Sequence, residues 1–236
     1  MQLFLEYQYK LEDEQLILCE ETSKHLVQVL RMQNGDQFEL TNGSGVHGIA
    51  SIIDNHKKHC TVSISNSTFI EKRPYKLTIA VGFTKNKSRN EWMLEKMTEL
   101  GVDCIIPLQC KRSEKDKINL DRLRGILEAA TIQSKQYYVP EIKELTSIKN
   151  VIEDFDTYAK YIAHCEDEQE KQHFLKHLER SASTLIFIGP EGDFSQDEIK
   201  YCLKQACTPI SLGVNRLRTE TAAVYATTIF NAINYE

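Results

Sequence analysis

Apolar and polar positions alternate with a period of two through the first part of the chain and give way to longer, helix-spaced patterns beyond residue 72. Gln37-Phe-Glu-Leu40, Gly48-Ile-Ala-Ser-Ile-Ile53 and Cys60-Thr-Val-Ser-Ile-Ser65 each place apolar residues on one side of an extended chain, with glycine-containing turns between them. A strand buries every second side chain, so these segments predict a small β-barrel. One helix interrupts it, Ser23 to Arg31, where Ser23 is placed to cap the first turn and Leu26, Val29 and Leu30 form an apolar stripe. Gly43-Ser-Gly-Val-His-Gly48 fits Gly-x-Gly-x-x-Gly, but it runs into the β-branched stretch Ile49 to Ile53 instead of opening a helix. It therefore reads as a hairpin turn and not as a dinucleotide fingerprint.

From Tyr75 onward strand-like runs alternate with helical ones, the pattern of a parallel α/β sheet. The predicted strands are Lys76 to Gly82, Asp103 to Pro107, Tyr158 to Ala163, Thr184 to Ile188 and Thr208 to Leu212. A helix over Ser88 to Leu100 is framed by a capping box of Ser88 and Glu91 and a stop at Gly101. Ile70 to Tyr75 is the predicted linker, dividing the chain into residues 1–72 and 73–236.

A chain of 236 residues, 41% hydrophobic and 27% charged, has the composition of an ordinary globular protein of one large or two modest domains. No apolar run approaches the roughly 18 residues that would cross a bilayer, and the first residues lack a signal-peptide pattern, so a cytoplasmic protein is expected. The seven cysteines are scattered and mostly apolar in context, which argues against a disulfide framework. Cys202 and Cys207 read as one helix without histidine partners; His173 and His177 share a predicted helix face without the Glu of His-Glu-x-x-His, so no metal is expected. The net charge of −5 hides an asymmetry: residues 73–145 hold 14 Lys and Arg against 10 Asp and Glu, whereas both flanking regions are acidic. The densest basic part, Lys111 to Lys117 followed by Arg122 and Arg124, reads either as a phosphate-contacting surface or as a solvated face.

Two segments carry the candidate chemistry, Gly189-Pro-Glu-Gly-Asp-Phe-Ser195 and Leu212-Gly-Val-Asn-Arg-Leu-Arg-Thr-Glu-Thr-Ala222. Each follows a predicted strand and leads into a helix, which is where open α/β sheets bind ligands. In the first, Ser195 and Glu198 form a capping box, and the glycines let a ligand approach bare main-chain groups. In the second, Arg218 sits at a helix start, where a cation is electrostatically unhelpful, so it is kept for another purpose or is paired with Glu220.

These segments resemble the signature of the RsmE family, bacterial methyltransferases that act on N3 of uridine 1498 in 16S ribosomal RNA. His25-Leu-x-x-Val-Leu-Arg31 with Gly35-Asp36, Glu99-Leu-Gly-Val102 with Pro107, Gln133-Ser134 and Val139-Pro-Glu-Ile142 are similar to further family motifs in the same order. The resemblance spans nearly the whole chain. It implies a PUA-like RNA-binding barrel over residues 1–72, then a SPOUT α/β domain over residues 73–236 with a C-terminal trefoil knot, S-adenosylmethionine as cofactor, and a homodimer. Carried over by position, His164, Ile188, Gly189, Pro190, Glu191 and Gly192 would line one side of the cofactor and Leu212, Gly213, Leu217, Arg218, Thr219 and Ala222 the other. Arg218 would stabilise charge on the uracil, with Glu191 or Glu220 taking the proton. RNA would be held by His25, Arg31, Arg89, Lys111, Arg112 and Lys115. The chain departs from the family pattern at Asp193, where a second glycine is usual, at Asn215 and Gln136, where arginines are common, and at Lys111, where Glu is common. Two alternatives stay open: a SPOUT enzyme with another target base, and a non-catalytic ribosome-assembly protein of the same fold.

Overall fold

The structure, a computed structural model, describes residues 1–113, 117–166 and 171–234. The chain forms two compact units, Met1–Lys72 with Thr131–Val139, and Arg73–Ala130 with Pro140–Glu236. The class is α/β, with one mixed and one parallel sheet.

The first unit contains β1 (Leu3–Leu5), β2 (Gln15–Ile17), α1 (Glu20–Lys24), β3 (Gln37–Thr41), β4 (Val46–Asp54) and β5 (Thr61–Phe69). They form a five-stranded sheet in the order β1-β3-β4-β5-β2, antiparallel except for β1 beside β3. β3 and β4 are the two arms of the hairpin around Asn42 to Gly45, as the glycine pattern predicts. Phe4, Phe38, Leu40, Ala50, Ile52 and Val62 fill its core.

The predicted helix here differs in start and in pitch. Cys19, not Ser23, caps it, its Sγ accepting from the Thr22 N–H at 3.5 Å. Ser23 is buried inside the first turns, where its hydroxyl donates to the Leu18 carbonyl and accepts from Cys60 N–H. His25–Val29 then widens into a π-helix, and the changed pitch breaks the stripe. Leu26 is fully buried, while Val29 is 68% exposed and Leu30 lies at the surface.

The second unit contains β6 (Leu77–Val81), α2 (Lys87–Glu99), β7 (Cys104–Gln109), most of α3 (Leu120–Gln133), β8 (Glu141–Ile142), β9 (Thr146–Ser147) and α4 (Ile148–Asp154). It continues with β10 (Ala159–Ala163), β11 (Gln172–His173), β12 (Thr184–Ile188), α5 (Gln196–Lys204), β13 (Thr208–Ser211) and α6 (Thr219–Asn234). The sheet runs β11-β13-β10-β12-β6-β7-β8, with β9 also on β7, and every pair is parallel. Parallel strands are covered on both faces, which is why Thr184-Leu-Ile-Phe-Ile188 and Leu77-Thr-Ile-Ala-Val81 are buried at every position. Asp103 anchors the start of this sheet: its carboxylate accepts from Leu77 N–H and from Arg73 Nη2, both at 2.7 Å.

Three local expectations are corrected. Asn86, not Ser88, caps α2, accepting from Arg89 N–H, and Glu91 is instead engaged with Arg122. Cys207 lies beyond the end of α5, buried beside Cys202, and the two thiols are not on one helix. His173 and His177 flank a single 3-10 turn, so no helix face holds them together. Among the described residues no group of three or more His, Cys, Asp or Glu is placed to hold a metal, and no helix is long and apolar enough to cross a membrane.

Candidate active site

β10, β12 and β13 lie side by side, with Ala163 level with both Ile188 and Ile210. Their C-terminal ends therefore open at one height, and the chain leaving each strand becomes a wall of one cleft of about 810 Å³. That size suits a nucleoside-bearing small molecule. The walls are His164-Cys165 after β10, Gly189 to Glu191 with Asp193 after β12, and Leu212 to Arg218 after β13, closed by the first turn of α6. Of the residues that the family pattern assigns to the cofactor, all but Gly192 line this cleft.

The Gly189 to Asp193 loop is fixed by short-range packing. The Asp193 N–H donates to the Pro190 carbonyl, closing a turn, and the Thr219 hydroxyl donates to the Gly189 carbonyl at 2.9 Å. A Cβ on Gly189 would stand 3.0 Å from Asp193 Oδ1, and one on Gly192 would stand 3.3 Å from Arg112 Cβ. The two glycines thus accommodate protein atoms, a different use from the ligand approach that their sequence suggests. The Gly192 carbonyl accepts from Arg112 Nη1 at 3.0 Å, and neither residue lines the cleft. In the third wall Gly213 has φ +127, a conformation that other residues rarely adopt.

Charge in the cleft is arranged around Arg89. Its guanidinium lies 3.6 Å from Glu220 and 3.9 Å from Glu191. Glu220 is buried at 8% exposure, and a buried carboxylate without such a partner would be costly. Glu191 is half exposed and more loosely held. Arg218 is exposed on the cleft and makes no ion pair among the described residues, so Glu220 is not its partner. Arg216 is likewise exposed beside it.

His164 is 8% exposed, and neither ring nitrogen has a hydrogen-bond partner among the described residues. Burial pushes its pKa down from 6.5, the nearby Lys171 ammonium adds to this, and Asp193 and Glu166 oppose it. A buried imidazole with two idle nitrogens facing a cleft is equipped to meet a polar ligand. The depressed pKa also fixes the sign of an acid response. The unfolded chain takes up the His164 proton first as pH falls, so the stability held by the neutral ring is complete above about pH 6.5 and declines below it. The ligand-free protein should lose melting temperature on going from about pH 7 to 5.5 more steeply than a His164→Asn variant, as read by scanning calorimetry. Parallel profiles would mean that His164 does not titrate on unfolding.

The residues assigned to RNA by sequence fall in different places. His25 and Arg31 are exposed on the first unit, His25 edge-on to Phe4 and Arg31 in a left-handed conformation at φ 57. Arg89 belongs to the cleft, as above. Lys111 donates its N–H to Glu198 and places Nζ 3.5 Å from Asp197, both side chains well exposed. Arg112 is occupied by the Gly192 and Phe194 carbonyls. Arg122 pairs with Glu91 and Arg124 with Asp121, so much of the middle third's positive charge is matched locally. Lys115 lies outside the described residues. Sequence reasoning missed Lys171, whose Nζ donates to the His164 carbonyl at 2.8 Å and the Glu166 carbonyl at 2.5 Å. A lysine whose partners are main-chain carbonyls leaves no mark in sequence.

Residues 71–231 match the family model for the RNA methyltransferase domain, and residues 18–65 match that for the RNA methyltransferase PUA domain. Ribosomal RNA small subunit methyltransferase E of Rickettsia conorii is 30% identical, covering 91% of this chain and 88% of its own, and that of Bacillus subtilis is 29% identical over 90% and 86%. A crystal structure of a probable rRNA-methyltransferase from Porphyromonas gingivalis is 34% identical and superposes with a TM-score of 0.90 over 99% of this chain and 98% of its own. A Legionella pneumophila protein solved with the cofactor SAM bound is 29% identical, with a TM-score of 0.86 over 98% of this chain and 97% of its own. With the cleft at three aligned strand ends and matches that run the length of the chain, this protein belongs to the ribosomal RNA small subunit methyltransferase E family.

Proposed function

We propose that the protein transfers a methyl group from S-adenosylmethionine to N3 of uridine 1498 in the 16S RNA of the small ribosomal subunit. The observation that carries this reading is the convergence of His164, the Gly189 to Glu191 loop and the Leu212 to Ala222 segment on one cleft of small-molecule size. Membership of the methyltransferase E family supports both the reaction and the RNA. The residues fit the cofactor: main-chain groups of two loops, apolar strand-end residues Ala163, Ile188 and Ile210, and a buried imidazole whose nitrogens have no partner among the described residues. When bound, the cofactor supplies a methyl group already activated on a sulfonium. The protein is left to orient the uracil, exclude water and manage one proton.

Arg218, on the cleft and without an ion pair among the described residues, is placed to stabilise negative charge that develops on the uracil oxygens. Of the two acids, Glu191 is the better proton acceptor, because it is half exposed while Glu220 is buried against Arg89. Arg89 then acts within the cleft, holding both carboxylates, instead of on RNA phosphates. In the same reading residues 1–72 form a PUA-like barrel that presents His25 and Arg31 to RNA, and residues 73–236 form a SPOUT domain. The insertion of β12 between β10 and β6 suits a trefoil knot in that domain. The enzyme works in the cytoplasm as a homodimer without a metal.

Small ribosomal subunits lacking the modification, incubated with the protein and methyl-labelled cofactor, should acquire label in a single uridine at N3. Label in another base would identify a related enzyme with a different target. RNA binding without any label would identify a non-catalytic assembly protein.

A further inference from the structure

Asp193 stands where the family pattern has glycine, and its backbone keeps the left-handed conformation that glycine adopts freely, φ +60. Aspartate tolerates that region better than most residues, but glycine would be easier still. The carboxylate supplies what glycine cannot. Oδ2 accepts from the Cys165 N–H and Oδ1 from the Phe194 N–H, both at 2.8 Å. The first of these bonds spans the cleft floor. Ala163 and Ile188 are the last paired residues of β10 and β12. Beyond them the two chains separate, and Asp193 rejoins them through a side chain. Lys171 grips the same turn from its other end through the His164 and Glu166 carbonyls. Lys171 and Asp193 thus hold opposite sides of the His164–Cys165 peptide group, directly beside the buried imidazole whose nitrogens have no partner among the described residues.

We propose that Asp193 is a positioning residue, which clamps the His164–Glu166 turn to the Gly189–Gly192 loop and thereby sets the opening of the cleft for S-adenosylmethionine. The proposal rests on the cofactor reading above and assigns it a further determinant. Charge-assisted hydrogen bonds to main-chain N–H groups are short and strong, so two of them outweigh the conformational preference for glycine. Among the described residues, the ammonium of Lys171 and the carboxylates of Asp193 and Glu166 are the charged groups that act on His164, which makes its titration a report on the clamp.

The test compares wild type, Asp193→Gly and Asp193→Asn by calorimetric titration with S-adenosylhomocysteine, by steady-state kinetics and by NMR titration of His164. Asp193→Gly suits the backbone and should fold, yet bind S-adenosylhomocysteine about tenfold more weakly, a difference of about 1.4 kcal/mol. The loss should appear in the KM for the cofactor more than in kcat. Asp193→Asn retains one of the two acceptor bonds and should fall between. In both variants the His164 imidazole should titrate at lower pH than in wild type, because a carboxylate that favours its charged form is gone. Unchanged affinity in Asp193→Gly would overturn the proposal. If wild type itself takes up no S-adenosylhomocysteine, the cofactor reading fails separately. The clamp is then judged by hydrogen exchange of the Cys165 amide, faster in Asp193→Gly if it exists and unchanged if it does not.

Discussion

Arg218→Ala is expected to lower single-turnover methyl transfer by about 100- to 1,000-fold, the effect of deleting one preorganised donor aimed at developing negative charge. The expectation follows from the way the cations of the cleft are employed. Arg89 is held between Glu191 and Glu220, and Lys171 is held by two carbonyls. Arg218 lines the same cleft with no ion pair among the described residues, and its position just before α6 is anchored by the Thr219 hydroxyl on Gly189. The residue is thus fixed at its backbone, and among the described residues its guanidinium is left to the cleft. Cofactor affinity, measured separately by calorimetry, should change far less than the rate. Full turnover with unchanged cofactor affinity would remove Arg218 from the chemistry.

The second large effect concerns a glycine outside both loops. Gly82 follows β6, its N–H donates to the Ile188 carbonyl, and a Cβ built on it would lie 2.6 Å from Pro190 N and 2.7 Å from Pro190 Cδ. Neither contact is with a flexible side-chain tip, so an alanine must displace the turn that carries Glu191. Overpacking of this kind costs about 2–3 kcal/mol. For a chain of this size that corresponds to a melting temperature lower by roughly 5–10 °C. Because the displaced segment is a wall of the cleft, affinity for S-adenosylhomocysteine should also fall by more than about tenfold, as a shift of this size in a site-forming loop implies. A variant with wild-type melting temperature and affinity would show that the loop moves aside freely.

The contrast between these residues shows what the sequence could reveal. Buried parallel strands are written as nearly unbroken apolar runs, so β6, β7 and β12 could be read directly, while β10 and β13, only partly buried, were legible through their alternation with helical stretches. The two-residue strands β8, β9 and β11 carry no pattern of their own and exist because a neighbouring strand receives them. Ser88 offered a capping box that Asn86 pre-empted two residues earlier, since a cap is chosen by where the incoming chain bends. The two cleft loops were legible through glycines and a capped helix start, and Ser195 with Glu198 forms the reciprocal cap. Arg89 was not legible as a cleft residue. Its partners Glu191 and Glu220 are more than a hundred positions away, and only the fold brings a basic residue at the start of α2 to the ends of β12 and β13. Asp193 was visible as a departure from a pattern, but its bond to Cys165 required the strand ends to be placed.

The strand order has a temporal consequence as well. β6 cannot gain its neighbour β12 until Leu77 meets Thr184, and β10 needs both β12 and β13. A growing or refolding chain must therefore hold apolar, unpaired strand edges until its last third arrives, and topologies dominated by distant pairings fold slowly and are exposed to aggregation meanwhile. The cleft comes into being only when those final strands are seated, so a ligand bound there stabilises the completed sheet and none of its precursors. For this chain the small molecule that serves the reaction would also serve as the last brace of the fold.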